Sequence, residues 1–211
     1  MAFSTAGVLH NFTNSTRGAI GTDLFVKRTT AQPPIDLPWP LPRKFSRGAT
    51  TLCLGANFHI RSVGTSAQSS LERAIGRYEA LVPGRRSISC PNSSQELTEL
   101  QVTVIDDVEL QLDVNESYSL HVPEHGGIAE LTAATQYGAR HGLETFTQLV
   151  SLDVNGDGST SVLRYAPWQI EDAPRFTWRG LMLDTSRHFF PVEAIEALIT
   201  AMTYNKLNVF Q

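Results

Sequence analysis

Residues 178–190, followed by Pro191, narrow the choice of fold more than any other part of this chain. They read as an apolar strand, Leu181, Met182 and Leu183, that runs straight into a polar cluster of Asp184, Thr185, Ser186, Arg187 and His188, after which Pro191 opens a helix. Val192, Ile195, Leu198, Ile199 and Met202 repeat on one helical face, Glu193 and Glu196 sit in the first turns where they suit the helix dipole, and residues 207–210 return to strand character. Strand, helix and strand in about thirty residues make the two strands parallel, because the crossover helix carries the chain back to the same end of the sheet. Polar groups massed where a buried strand hands over to a helix are what an α/β barrel offers its ligand. Residues 173–211 are therefore expected to be the incomplete start of an α/β (TIM-type) barrel. Two strands and one helix cannot close, so their edges and apolar side chains should lie open.

The upstream sequence has a different pattern. Residues 1–35 are rich in Ser, Thr, Gly and Asn without periodicity, and are read as a disordered lead. Pro33, Pro34, Pro38, Pro40 and Pro42 then keep the backbone extended, so regular structure is expected only beyond them. From Ser70, Leu71, Ile75, Tyr78 and Leu81 recur at helical spacing, and Pro83-Gly84 stops the run. Residues 100–105 and 117–122 alternate apolar with polar in the manner of half-buried strands. Ala139, Leu143, Phe146 and Val150 mark a second amphipathic helix over 135–152, and short strands at 152–154 and 162–165 flank the turn-forming Asn155-Gly156-Asp157-Gly158. These elements predict an α+β domain over 36–172, with helices on one face of a small sheet. Glu171-Asp172-Ala173-Pro174 reads as its boundary.

Composition excludes several partners. A net charge of −4 and a pI near 5.8 leave no basic footprint for nucleic acid, and no run approaches the ~18 apolar residues of a membrane span. Cys53 and Cys90 either close one disulfide in an oxidising compartment or remain separate buried thiols. Asn11, Asn14, Asn92 and Asn115 each begin an Asn-x-Ser/Thr glycosylation sequon, which favours a secretory history, although residues 1–24 carry no recognisable signal peptide. Asp153, Asn155, Asp157 and Gly158 imitate part of a calcium loop, but Arg164 stands where a bidentate carboxylate is needed, and a hairpin turn accounts for them better. His121 and His125 are separated by Pro123 and have no third ligand nearby, so no metal site is expected, and His141 is read as a solvent-edge residue of the second helix.

Residues 179–190 (Arg-Gly-Leu-Met-Leu-Asp-Thr-Ser-Arg-His-Phe-Phe) and 202–210 (Met-Thr-Tyr-Asn-Lys-Leu-Asn-Val-Phe) closely resemble the opening of the catalytic barrel of the β-N-acetylhexosaminidases of glycoside hydrolase family 20, which include the lysosomal hexosaminidases. Residues 131–150 resemble the final helix of that family's N-terminal α+β domain, and Pro38-Trp39-Pro40-Leu41-Pro42 resembles its leading segment, so the likeness covers roughly 38–211. It implies hydrolysis of terminal N-acetylglucosamine or N-acetylgalactosamine from glycans and glycoconjugates, with retention of configuration, through attack by the substrate's own acetamido oxygen. It also implies no cofactor, a lysosomal or secreted location, and a family that is often dimeric. In that family an Asp orients the acetamido group and the adjacent Glu is general acid and base, yet no Asp-Glu dipeptide occurs in these 211 residues. The chain as it stands is therefore expected to be inactive, and a non-catalytic binding or interaction module is the alternative. The family's substrate-binding arginine falls on Arg187, whose planar fork suits adjacent sugar hydroxyls; Asp184 is expected to buttress it and His188 to lie beside it. Arg179, before the strand, is expected at the opposite, stabilising end.

Overall fold

The computed structural model describes residues 37–64, 69–82, 95–106, 108–153 and 160–211, and residues 36–211 form one compact unit. The predicted lead over 1–35, the sequons at Asn11, Asn14 and Asn92, and Cys90 lie outside the described residues. Among the described residues eleven elements follow in order: β1 (Lys44–Val63), α1 (Ser69–Leu81), β2 (Glu96–Asp106), β3 (Tyr118–Val122), β4 (Gly127–Thr135), α2 (Gln136–Leu149), β5 (Val150–Leu152), β6 (Ser161–Asp172), β7 (Gly180–Leu181), α3 (Val192–Tyr204) and β8 (Val209–Phe210).

The first six strands form one mixed sheet in the order β1-β2-β4-β3-β6-β5. Parallel pairing joins β1 to β2 and β2 to β4, and the remaining neighbours are antiparallel. The long β1 also pairs antiparallel with β6 through its first half, Lys44 opposite Glu171, before turning to β2 with its second, Ile60 opposite Leu100. Its register shifts near Gly48, where a Cβ would stand 2.4 Å from the Ala166 carbonyl oxygen; only glycine lets the two backbones approach so closely. Helices α1 and α2 touch each other and pack on the sheet, burying Leu71, Ile75 and Tyr78 from α1 and Ala139, Leu143 and Phe146 from α2. Phe58 of β1 stacks on Phe146 with ring centroids 5.8 Å apart, tying sheet to helix.

Several expectations need correction. Residues 131–135 are the end of β4 rather than helix, because Thr135 caps α2: its hydroxyl accepts from the Gly138 N–H and donates to the Asn115 carbonyl. The helix stops at Leu149, and Val150, placed on it by periodicity, begins β5 opposite Leu163. The β5–β6 hairpin encloses the false calcium motif, whose described ends, Asp153 and Arg164, pair with each other at 3.5 Å. Cys53 is disulfide-bonded. The proline-rich stretch is extended but firmly held: Trp39 exchanges hydrogen bonds with the Gln148 side chain, 2.6 and 2.9 Å, and its indole N–H donates to Asn205 at 2.9 Å.

After β6 the chain forms a second, two-stranded sheet in which β7 and β8 are parallel, joined by α3. Hydrogen bonds carry the pairing further, from Asn208 N to Arg179 O and from Leu183 N to Gln211 O. The apolar strand reading over 181–183 is too generous: Met182 is 73% exposed, and Ile199 and Phe189 are also exposed.

Gly138 and Gly76 give opposite predictions. A Cβ at Gly138 would lie 2.6 Å from the Ser117 carbonyl oxygen, so Gly138→Ala should cost about 1–3 kcal/mol by forcing α2 away from the strand entrance. A Cβ at Gly76 on α1 meets nothing within 4 Å, so Gly76→Ala should stabilise by roughly 0.5–1 kcal/mol. Urea melts of both variants check this; two shifts of the same sign would mean that α2 does not sit against residues 116–117 as seen.

Candidate functional site

Past β7, the chain turns at residues 184–188. The Asp184 carboxylate accepts from the backbone N–H of Ser186 at 3.0 Å and of Arg187 at 3.2 Å, closing the turn that its short side chain favours. Its other oxygen lies 3.1 Å from Arg187 Nε. The Arg187 side chain is 83% exposed, so this pair contributes little to stability and leaves the guanidinium's outer edge free for a ligand. His188 is exposed on the same turn. Asn115 is exposed before β3, its side chain engaged by the Ser117 N–H.

The opposite end of β7 is tied down by a part-buried network. The Arg179 guanidinium donates to Glu116 Oε2, to the Lys206 carbonyl at 2.7 Å and to the Phe176 carbonyl at 2.7 Å. His141 of α2, expected at the solvent edge, is part-buried, its side chain 14% exposed: its Nε2 lies 2.5 Å from the same Glu116 oxygen, which makes it the protonated ring nitrogen. Asn208 reaches Glu116 Oε1 at 3.4 Å. A neighbouring cage holds Lys206, whose ammonium donates to the Tyr118 hydroxyl, the Thr145 hydroxyl and the Asp172 carboxylate at 2.9, 2.9 and 3.1 Å. Lys206 has φ 55°, a left-handed conformation normally left to glycine after a helix; its three bonds explain why a lysine occupies it. Beyond the placing of Arg179 at this end, the network was not legible beforehand, because its side-chain partners are 25 to 92 residues apart and match no local pattern.

Burial alone would raise the Glu116 carboxyl, but hydrogen bonds and charge from His141 and Arg179 outweigh it and hold the group below its usual range. Burial lowers His141, and the Glu116 carboxylate only partly offsets this because Arg179 and Lys206 add positive charge nearby. Burial likewise lowers Lys206, against the pull of Asp172. Asp172 is held low, burial being outweighed by Lys206 and the Tyr118 hydroxyl. Beside this junction lies a cavity of about 710 Å³, floored by α1 and α2 and reached by Trp178 and Leu207. No group of three or more candidate metal ligands gathers among the described residues.

The junction generates a stability prediction with a definite sign. A depressed carboxylate and a depressed imidazole both stabilise the fold above their unfolded pKa values, and that contribution is lost as the pH falls. The melting temperature should begin to drop as the pH passes below about 6.5, where an unfolded His141 would protonate, and drop further as the carboxylates titrate. His141→Gln, which keeps a donor for Glu116, should flatten the first part of that profile. Glu116→Ala should cost about 3–5 kcal/mol at pH 7, because it strands Arg179 in a buried site. A first phase that is equally steep in His141→Gln would show that other groups carry it.

The family described as "beta-acetyl hexosaminidase like" matches residues 38–149, and that described as "Glycosyl hydrolase family 20, catalytic domain" matches residues 176–211. Beta-hexosaminidase 1 of Arabidopsis thaliana is 39% identical over 196 residues, covering 83% of this chain and 36% of that protein. Beta-hexosaminidase subunit beta of Felis catus is 38% identical over 184 residues, covering 81% of this chain and 33% of its own. Among solved structures, Flavobacterium johnsoniae chitobiase superposes with a TM-score of 0.64 at 31% identity, over 82% of this chain and 26% of that one. The chain thus spans about a third of the length of the curated relatives it matches. With a mixed sheet and three helices among its described residues and a first match that takes in more than half of the sequence, the chain belongs to the β-hexosaminidases of glycosyl hydrolase family 20.

Proposed function

We propose that this chain is part of a β-N-acetylhexosaminidase that removes terminal N-acetylglucosamine or N-acetylgalactosamine from glycans. Residues 36–172 are its non-catalytic α+β domain, and residues 173–211 are the first strand, first helix and second strand of an eight-fold barrel. The observation that supports this reading is the parallel β7-α3-β8 unit, which coincides with the catalytic-domain match and has Arg187 in the turn that follows its first strand. The open edges of β7 and β8, and the exposed apolar residues Met182, Phe189 and Ile199, suit strands and helices of a barrel continuing around them.

In this reading Arg187 grips adjacent sugar hydroxyls with its fork, Asp184 holds the fork in place, and His188 flanks it. The reaction is substrate-assisted: the acetamido oxygen attacks the anomeric carbon while an Asp orients it and a neighbouring Glu protonates the leaving oxygen. No Asp-Glu dipeptide stands within these 211 residues, so the chain alone should not turn over. The disulfide at Cys53 and the sequon at Asn115 favour a secreted or lysosomal protein bearing a glycan there. No helix among the described residues is long and apolar enough to cross a membrane. A second reading, a binding module without catalysis, is favoured by the buried junction, which anchors residues 173–211 without any further barrel.

Assay of an aryl N-acetylglucosaminide separates the two. The 211-residue chain should show no hydrolysis above background, whereas the same residues continued through the family's remaining barrel should be active. In that longer protein Arg187→Lys should lose about a hundredfold or more in kcat/KM, nearly as much as Arg187→Ala, because lysine forfeits a pair of charge-assisted hydrogen bonds worth roughly 1.5–3 kcal/mol each. Its melting temperature should hardly move. Arg179→Lys should do the reverse, lowering stability while leaving kcat/KM close to normal below the melting range. A crippled Arg179→Lys beside a normal Arg187→Lys would mean that the wrong arginine has been assigned.

A further inference from the structure

We infer that the cavity of about 710 Å³ between α1, α2 and Trp178 binds an acidic sugar, one carrying a sulfate or a carboxylate. Its volume falls in the range of small-molecule sites. Arg73 and Arg77, one turn apart on α1, and Arg140 on α2 line it together, although the chain as a whole is net negative. No carboxylate among the described residues lies within salt-bridge distance of any of the three. The other charged groups on the wall are already engaged: Glu116 by Arg179 and His141, and Lys206 by Asp172, so Asp113 is left as the one carboxylate opposing three guanidinium groups.

Burial is the main influence that disfavours the Arg140 charge, the charges of Arg77 and Arg73 add to it, and its buried Nε finds no acceptor among the described residues. Its Nη2 has only the neutral Gln136 amide oxygen, at 3.3 Å. Like charges converging on a partly buried space, with a donor left over, are relieved by an anion that accepts from several guanidinium groups at once. The rest of the wall is predominantly apolar and aromatic: Arg77 lies over the buried Tyr78 ring and Arg140 over the Tyr137 ring, while Trp178 and Leu112 are exposed, and the flat Trp178 ring suits the C–H face of a sugar better than a bare ion. The saccharide half of this assignment rests on the glycosidase reading above; the anionic half rests on the arginines alone. Arg187 takes no part in the lining.

Calorimetric titration of the full 211-residue chain tests both halves, with N-acetylglucosamine 6-sulfate, glucuronic acid, neutral N-acetylglucosamine and sodium sulfate as separate probes. At least one of the two acidic sugars should bind saturably and about tenfold or more tighter than either the neutral sugar or inorganic sulfate. That affinity should fall with added salt and should drop about tenfold or more in Arg73→Ala/Arg77→Ala, whose two side chains lie on the exposed face of α1 and whose melting temperature should stay near that of the parent. Which acidic sugar wins identifies the anion. The proposal is overturned if neither acidic sugar binds, if neutral sugar or inorganic sulfate binds as tightly, or if the double variant binds normally. These readouts involve no turnover, so their failure leaves the proposed hydrolysis standing, and a longer protein that fails to hydrolyse leaves the arginine result standing.

Discussion

The buried carboxylate of Glu116 is the point on which the arrangement of the two sheets depends. It sits just before β3, and side chains from three other parts of the chain, His141, Arg179 and Asn208, converge on its two oxygens. A charge taken out of water is tolerable only when its lone pairs are answered with good geometry, and a guanidinium fork supplies donors in directions fixed by its own plane. Arg179 spends its remaining donors on the carbonyls of Phe176 and Lys206, so it leaves few polar groups unanswered in the seam it closes. Removing any one member exposes the others to the same desolvation cost, which makes the seam a cooperative unit rather than a sum of separate contacts.

The Lys206 cage and the Trp39 clasp extend that seam on either side. Together they fix the start of β7 and the turn after α3, while the far end of β7 and the outer face of α3 remain exposed. Over the five residue steps from Arg179 to Asp184 an extended chain advances roughly 16 Å. One short segment therefore has a rigidly anchored root and an accessible tip, and the tip carries the Asp184–Arg187 pair. Immobilising the base of this segment limits how far the turn that carries Arg187 can wander, which the sugar-gripping role proposed for that residue would require.

The helices were legible because an apolar stripe at helical spacing is written locally: Leu71, Ile75 and Tyr78 all turned out buried, as did Ala139, Leu143 and Phe146. Strand β1 was not foreseen, since its twenty residues include Gly48 and Gly55, change partners midway and expose much of their length. Strand β4 was hidden by its small residues, Ala129, Ala133 and Ala134, and by running directly into α2. The Asp184–Arg187 turn could be read because its residues are neighbours in sequence. Glu116, His141 and Lys206 could not, since nothing near any of them indicates which distant group will neutralise it. His141 was misread for that reason: a lone histidine on a helix looks solvent-facing until the partner that buries it is known.

The pairing of Lys44 with Glu171 also constrains how this chain can come into being. A ribosome releases the amino-terminal half of β1 long before its partner β6 exists, so that half stays unpaired with β6 while the helices and the β2, β3 and β4 pairings emerge. The sheet gains its β1–β6 ladder once synthesis has passed Asp172, and only then is there a finished surface for Arg179 and Lys206 to close upon. Order of emergence thus matches order of dependence, and residues 173–211 leave the tunnel to meet a scaffold already able to receive them.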